Sequence, residues 1–243
     1  METTIEVKNL CKSYEHIKAV DNINISVCRG EVFGLLGANG AGKSTTIECI
    51  LGTKKQDRGT ISVLGMDPQK ERKKLFERVG VQFQEANYQD KIKVAELCEV
   101  TASLYKTSLD YGSLLKQFGL SDKRKSLVKE LSGGQKQRLF IVLALIPDPE
   151  VIFLDELTTG LDPKARRDVW KSLSELKAKG ITILLTSHFM DEVEALCDKI
   201  MILKQGEKVF CGTVQEATAA SPYEKFEDAY LWYTDGEVKN ESI

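Results

Sequence analysis

An α/β fold built on a mostly parallel sheet follows from three features of the 243-residue chain. Short apolar runs alternate with longer segments of helical spacing, the pattern of strand–helix–strand units. One loop between a run and a helix, Gly37-Ala-Asn-Gly-Ala-Gly-Lys-Ser-Thr45, fills every fixed position of G-x-x-x-x-G-K-[ST]. Polar residues stand at the carboxyl ends of four runs, where open α/β sheets bind ligands.

Composition narrows the class. Hydrophobic residues make up 42% and charged residues 29%, with a net charge of −2, as in a globular protein without a broad basic footprint. Nucleic acid is therefore not expected as a partner. The six cysteines (11, 28, 49, 98, 197, 211) are scattered, with no C-x₂₋₄-C knuckle, and read as reduced, mostly buried thiols of a cytosolic protein. Met1-Glu-Thr-Thr begins no signal peptide. The longest apolar run, Leu139 to Ile146, is far short of the ~20 residues a membrane helix needs. If the chain serves membrane transport, another chain supplies the pore.

In order along the chain, residues 5–10 and 19–27 alternate apolar and polar, as half-exposed strands do, and suggest an N-terminal antiparallel β subdomain. Tyr14 falls between them. Glu31 to Leu36 reads as a buried strand, and Lys43 to Leu51 as a helix. A strand follows at 60–64, a short exposed helix within 69–78, and a strand from Val79 that ends at Gln84. Residues 94–118 carry apolar groups at helical spacing with a break at 110–112, so 85–146 is read as an inserted α-helical subdomain. A helix from Gln135 to Ile146 stops at Pro147 and Pro149. Val151 to Leu154 is continuously apolar, the mark of a strand buried on both faces, and should run beside the strand before Gly37. A helix over 164–179, a strand over 181–185, a short helix over 190–197 and a hairpin about Gln205-Gly206 complete the core. In the last thirty residues Phe226, Tyr230, Leu231 and Trp232 are available to pack. The whole reads as a single domain, residues 1–243, with its core in 1–84 and 147–213 and a C-terminal tail from 214.

The chemistry follows from residue type and placement. Glycines turn backbone N–H groups inward around a polyphosphate, and a helix N-terminus adds donors and partial positive charge. Lys43 reaches the β- and γ-phosphates, and the Ser44 hydroxyl holds Mg²⁺. Asp155, at a strand end, is a second Mg²⁺ ligand. Glu156 is placed to polarise a water for in-line attack. Gln84 is a further candidate for Mg²⁺ or the attacking water, and His188 for the γ-phosphate. His16 has no such placement. Leu131-Ser-Gly-Gly-Gln135 is a second small-residue turn opening a helix and has the make-up of another anion site. Since one cradle already serves these phosphates, the second suggests a surface used by another subunit's nucleotide.

These elements together resemble the nucleotide-binding subunit of an ABC transporter over about residues 3–213. The resemblance rests on Gly37 to Thr45, Gln84, Leu-Ser-Gly-Gly-Gln at 131–135 followed by Lys-Gln-Arg138, Val-Ile-Phe-Leu-Asp-Glu at 151–156, Gly-Leu-Asp at 160–162, and His188. It implies a P-loop NTPase core and an ATPase with Mg²⁺ as its metal. It also implies a head-to-tail dimer with an identical or different nucleotide-binding subunit. ATP would lie between Gly37, Asn39, Gly40, Ala41, Gly42, Lys43, Ser44 and Thr45 of one subunit and Ser132, Gly133, Gly134 and Gln135 of the other. Tyr14 would stack on adenine and Asp162 would couple the two sites. Glu156, His188 and Gln84 would be catalytic; Ser44, Gln84 and Asp155 would bind metal. A separate membrane permease would dock near Gln84 and the helical insertion, holding the chain at the cytoplasmic face. Thr158 to Pro163, His188 to Glu194 and Phe226 to Tyr230 resemble the exporter branch. Leu157 and Ala38 stand where the family commonly has Pro, and Lys93 where Thr is usual. A pore-free ABC ATPase acting on ribosomes or DNA is the rival reading, and a nucleotide switch that never hydrolyses is another. The first usually needs two such domains or a coiled coil; Glu156 and His188 argue against the second.

Overall fold

The computed structural model describes residues 2–82 and 88–235. Its strands are β1 (Thr3–Tyr14), β2 (Ile17–Cys28), β3 (Val32–Gly37), β4 (Arg58–Val63), β5 (Val79–Gln82), β6 (Val151–Asp155), β7 (Thr182–Thr186), β8 (Lys199–Lys204) and β9 (Glu207–Gly212). Its helices are α1 (Lys43–Ile50), α2 (Arg72–Phe76), α3 (Val94–Ser103), α4 (Tyr111–Gln117), α5 (Gly133–Leu145), α6 (Pro163–Ala178), α7 (Met190–Leu196), α8 (Val214–Ala219) and α9 (Phe226–Asp235).

Two sheets form. A six-stranded sheet has the order β5-β6-β7-β3-β8-β9, parallel except for β9, and an antiparallel sheet has the order β2-β1-β4. Residues of β3, β6 and β7 are buried along their whole length, as strands covered on both faces must be. The order corrects one expectation: β6 does not run beside β3, because β7 pairs with both. Burial on both faces made the two strands look alike in sequence, and nothing in either run encodes its neighbour.

The antiparallel sheet buries Ile5, Val7, Val20, Ile23, Ile25 and Val27 against the β3–α1 side of the core. Its first two strands run further than the alternating segments suggest, meeting in a two-residue hairpin at Glu15-His16 with Tyr14 opposite Ile17. Tyr14 is thus the last residue of β1. On the opposite face, residues of α3, α4 and α5 share one hydrophobic cluster with β6 and β7, including Cys98, Leu115, Val142, Ile152 and Leu185. The close approach of α5 to β5 depends on Gly80, where a Cβ would sit 2.0 Å from the Ala144 carbonyl.

Three smaller expectations are corrected. α5 begins at Gly133, two residues early, because Ser132 accepts from the Gln135 N–H while the Gln135 side chain accepts from the Ser132 N–H. Leu231 is exposed, whereas Phe226 is buried and Tyr230 packs against the same cluster. Of the six free thiols only Cys49 and Cys98 are fully buried, and burial pushes them up to about 11 and about 12; Cys211 is exposed. Among the described residues no helix is long and apolar enough to cross a membrane.

Candidate functional site

Three strand ends build the site. β3 delivers the glycine loop, β6 delivers Asp155 and Glu156, and β7 delivers Thr186 and the loop to His188. Parallel strands put all three at one edge of the sheet. Gln84 lies outside the described residues.

The glycine loop is shaped by what surrounds it. Gly42 has φ 102°, and a Cβ there would meet the Ala19 carbonyl of β2 at 2.3 Å, so no other residue fits. Gly37 and Ala41 are buried, and Ala41 accepts from the Gly206 N–H at 3.1 Å. These two fix the loop, while Asn39, Gly40, Gly42, Lys43, Ser44 and Thr45 line a cleft of about 330 Å³ with Ala19 and Glu156. No side chain caps α1, and no acidic residue occupies its first turn. Its first N–H groups are therefore left for an anionic ligand. A groove of about 1020 Å³ between α7, α8 and α9 is larger but holds none of these residues, so volume does not mark the site.

Lys43 is the charged centre. Its side chain is 6% exposed, and its Nζ donates to the carbonyls of Gly37 (2.8 Å) and Ala38 (3.2 Å). Glu156 Oε1 lies 3.9 Å away. Burial lowers the Lys43 pKa, against the opposing pull of Glu156 and Asp155. A buried ammonium that donates to neutral carbonyls, with carboxylates near it but not hydrogen-bonded to it among the described residues, gains from an added polyanion.

Glu156 adopts φ 49°, unusual for a residue with a Cβ. Its N–H donates to the Thr186 hydroxyl at 3.0 Å, and that hydroxyl donates to Asp155 Oδ1 at 2.6 Å. Thr186 thereby locks both acidic residues to the end of β7. The Glu156 carboxylate is 12% exposed and lies 3.8 Å from His188 Nδ1. Leu157, next in the chain, is buried in the larger hydrophobic cluster and anchors the turn from below. Lys43, Glu156 and His188 thus form one chain of polar contacts, of which Lys43 and Glu156 line the cleft. Ser44 is exposed at its rim.

The other sequence candidates stand elsewhere. Ser132 and Gly133 are exposed at the start of α5, Gly134 and Gln135 half-buried, and none lines the cleft. A Cβ on Gly134 would sit 2.8 Å from the Ala165 Cβ of α6, so glycine there brings the two helix starts together. Asp162 caps α6, accepting from the N–H groups of Lys164 (2.9 Å) and Ala165 (3.0 Å). Tyr14 is 40% exposed, with the Lys12 and Lys54 ammoniums each 5.3 Å from its ring centroid. Thr186 and Ala19 were not anticipated as site residues. A buried threonine closing an apolar run was the available signal for Thr186; Ala19 carries none.

Comparison with known proteins decides the family. The sequence pattern of the ABC transporter family matches residues 20–159. The chain belongs to the ABC transporter ATP-binding family. The Nod factor export ATP-binding protein I of Burkholderia orbicola (strain AU 1054) is 41% identical over 210 residues, covering 84% of this chain and 69% of that protein. A solved ATP-binding subunit of an ABC transporter superposes with TM-score 0.85 at 29% identity, over 95% of this chain and 99% of that one. A dimeric post-hydrolysis ATP-binding cassette bound to ADP and Pi gives TM-score 0.78 at 25% identity, over 86% of this chain and 98% of that one. This ABC protein is an ATPase, with a P-loop NTPase core, an antiparallel β subdomain and a mixed sheet, and its nucleotide-binding fold is that of its solved relatives.

Proposed function

We propose that the chain binds Mg-ATP as half of a composite site and uses hydrolysis to drive a separate membrane permease, as an exporter. The observation that carries this reading is the placement of Lys43, Glu156 and His188 within 4 Å steps of one another beside an uncapped helix N-terminus. The polyphosphate would lie in the 330 Å³ cleft against the first N–H groups of α1. Lys43 would leave the Gly37 and Ala38 carbonyls for the β- and γ-oxygens, trading neutral acceptors for charged ones. Glu156 would accept the proton of an attacking water, and His188 would donate to the γ-phosphate and steady the Glu156 carboxylate.

Mg²⁺ fits the donor set. The Ser44 hydroxyl and the Asp155 carboxylate are hard oxygen ligands, and Asp155 is held in one orientation by Thr186. No cluster of three His, Cys, Asp or Glu exists among the described residues, so phosphate oxygens and water would complete the shell. Bound there, the ion would offset phosphate charge.

The second half of the site would be the exposed turn Ser132-Gly-Gly-Gln135. One chain carries both an intact cleft and an intact turn, so two copies head to tail would supply two complete sites. Tyr14, at the free end of the β1–β2 hairpin, would stack on adenine, and Asp162, adjoining the turn through Gly134 and Ala165, would couple the sites. The permease reading draws on the export proteins among the relatives and implies a peripheral position on the cytoplasmic face. Co-purification from membranes tests it: a polytopic membrane protein should be recovered with the chain in detergent, and recovery with ribosomes or DNA instead would refute it.

A further inference from the structure

Glu192 is a buried acid that the chemistry above does not use. It is 3% exposed, on α7, and burial raises its pKa. Three segments converge on its carboxylate. The Trp170 indole of α6 donates to Oε1 at 3.0 Å, and the Ser187 hydroxyl, next to His188, donates to Oε2. The Thr158 hydroxyl, two residues after Glu156, is buried close enough to bear on the same carboxylate but makes no hydrogen bond. Ser187 Oγ also accepts from the Phe189 N–H at 3.0 Å. Beside it, Arg166 of α6 stacks on the Phe189 ring at 3.9 Å and pairs with Asp191 at 3.2 Å.

A carboxylate this deep is costly to desolvate unless its lone pairs are used. Here they tie the loop after β7 to α6 through Ser187 and Trp170, with Thr158 of the loop after β6 packed beside the same carboxylate. Those loops carry Glu156 and His188. We infer that Glu192 is a positioning residue that sets His188 against Glu156, so that its removal slows hydrolysis without weakening nucleotide binding. The inference rests on the reading of His188 as a γ-phosphate group.

The test is steady-state ATPase kinetics of Glu192→Ala and His188→Ala, singly and combined. Glu192→Ala should lower kcat about tenfold and leave KM within about twofold, since small displacements of a reacting group cost that much. Glu192→Gln, which can accept from Trp170 and donate to Ser187, should recover most of the rate. In the His188→Ala background Glu192→Ala should cost nothing further, because residues acting through one another are not additive. Trp170→Phe, which removes one donor and keeps the ring, should give a smaller loss of the same kind if Glu192→Ala fails to fold. A full tenfold loss on top of His188→Ala, or a loss expressed in KM, would overturn the inference while leaving the His188 reading intact. An unchanged kcat for His188→Ala alone would remove both.

Discussion

Two glycine-rich turns open helices in this chain, and they are built to opposite ends. The turn before α1 is embedded: Gly37 and Gly42 press against the carbonyls of Leu203 and Ala19, Lys43 is buried, and no side chain caps the helix. The turn before α5 is open to solvent and closed on itself, with Ser132 and Gln135 satisfying each other's N–H groups. The first leaves its donors unspent and gathers a lysine, two carboxylates and a histidine around them. The second has no acidic group in its first turn and holds a small shape closed by its own capping bonds. An anion held by the first still has a bare face, and the second has the shape to cover one. The difference is what makes a composite site the better account than two separate phosphate sites.

Substitutions can break the comparison. The largest effect belongs to the embedded turn: Lys43→Ala should cut ATPase activity by at least about 100-fold, read as phosphate release, because it removes a buried cation from the proposed phosphate cleft. Turnover near the parent rate would refute its role. Glu156→Gln should slow hydrolysis on the order of 100-fold while a fluorescent ATP analogue still binds with parent affinity. Loss of binding would mean that Glu156 holds the nucleotide and not the water. Ser132→Arg adds bulk to an exposed position, so the isolated chain should bind nucleotide normally while hydrolysis falls about tenfold or more. Parent activity would deny the open turn a part in the reaction. Tyr14→Ala should raise KM for ATP about tenfold with kcat little changed, the worth of one base–aromatic stack. Smallest is Ser132→Ala, which keeps the turn small but removes its cap. It should lower unfolding stability by about 1 kcal/mol in urea titration, and a stability equal to the parent would mean the capping box contributes nothing.

The embedded turn was legible in the sequence because every one of its constraints is local: a buried strand, glycines at fixed spacing, a lysine and a hydroxyl. Leu-Ser-Gly-Gly-Gln is legible as a motif, yet the expected helix start, Gln135, misses that S-x-x-Q at 132–135 is itself a capping signature. Strand order was not legible, since β7 lies between β6 and β3 for reasons of packing that no single run records. The place of Tyr14 inside β1 is hidden in the sequence because register shifts between Val7 and Leu10 break the alternation that marks the strand. Glu192 left a faint mark: it falls four residues before Leu196, in line with a buried position of α7, where a charge is out of pattern. Its partners on α6 and after β6 and β7 are distant in sequence and visible only in the fold.

The account stands most directly on one measurement, the ATP-dependent mass of Glu156→Gln in light scattering, beside the same protein carrying Ser132→Arg. With Mg-ATP the single variant should double its mass, and the double variant should stay monomeric while still binding nucleotide. A single variant that remains monomeric with ATP bound, or a double variant that dimerises equally well, would contradict the claim that the open turn of one copy completes the embedded turn of another.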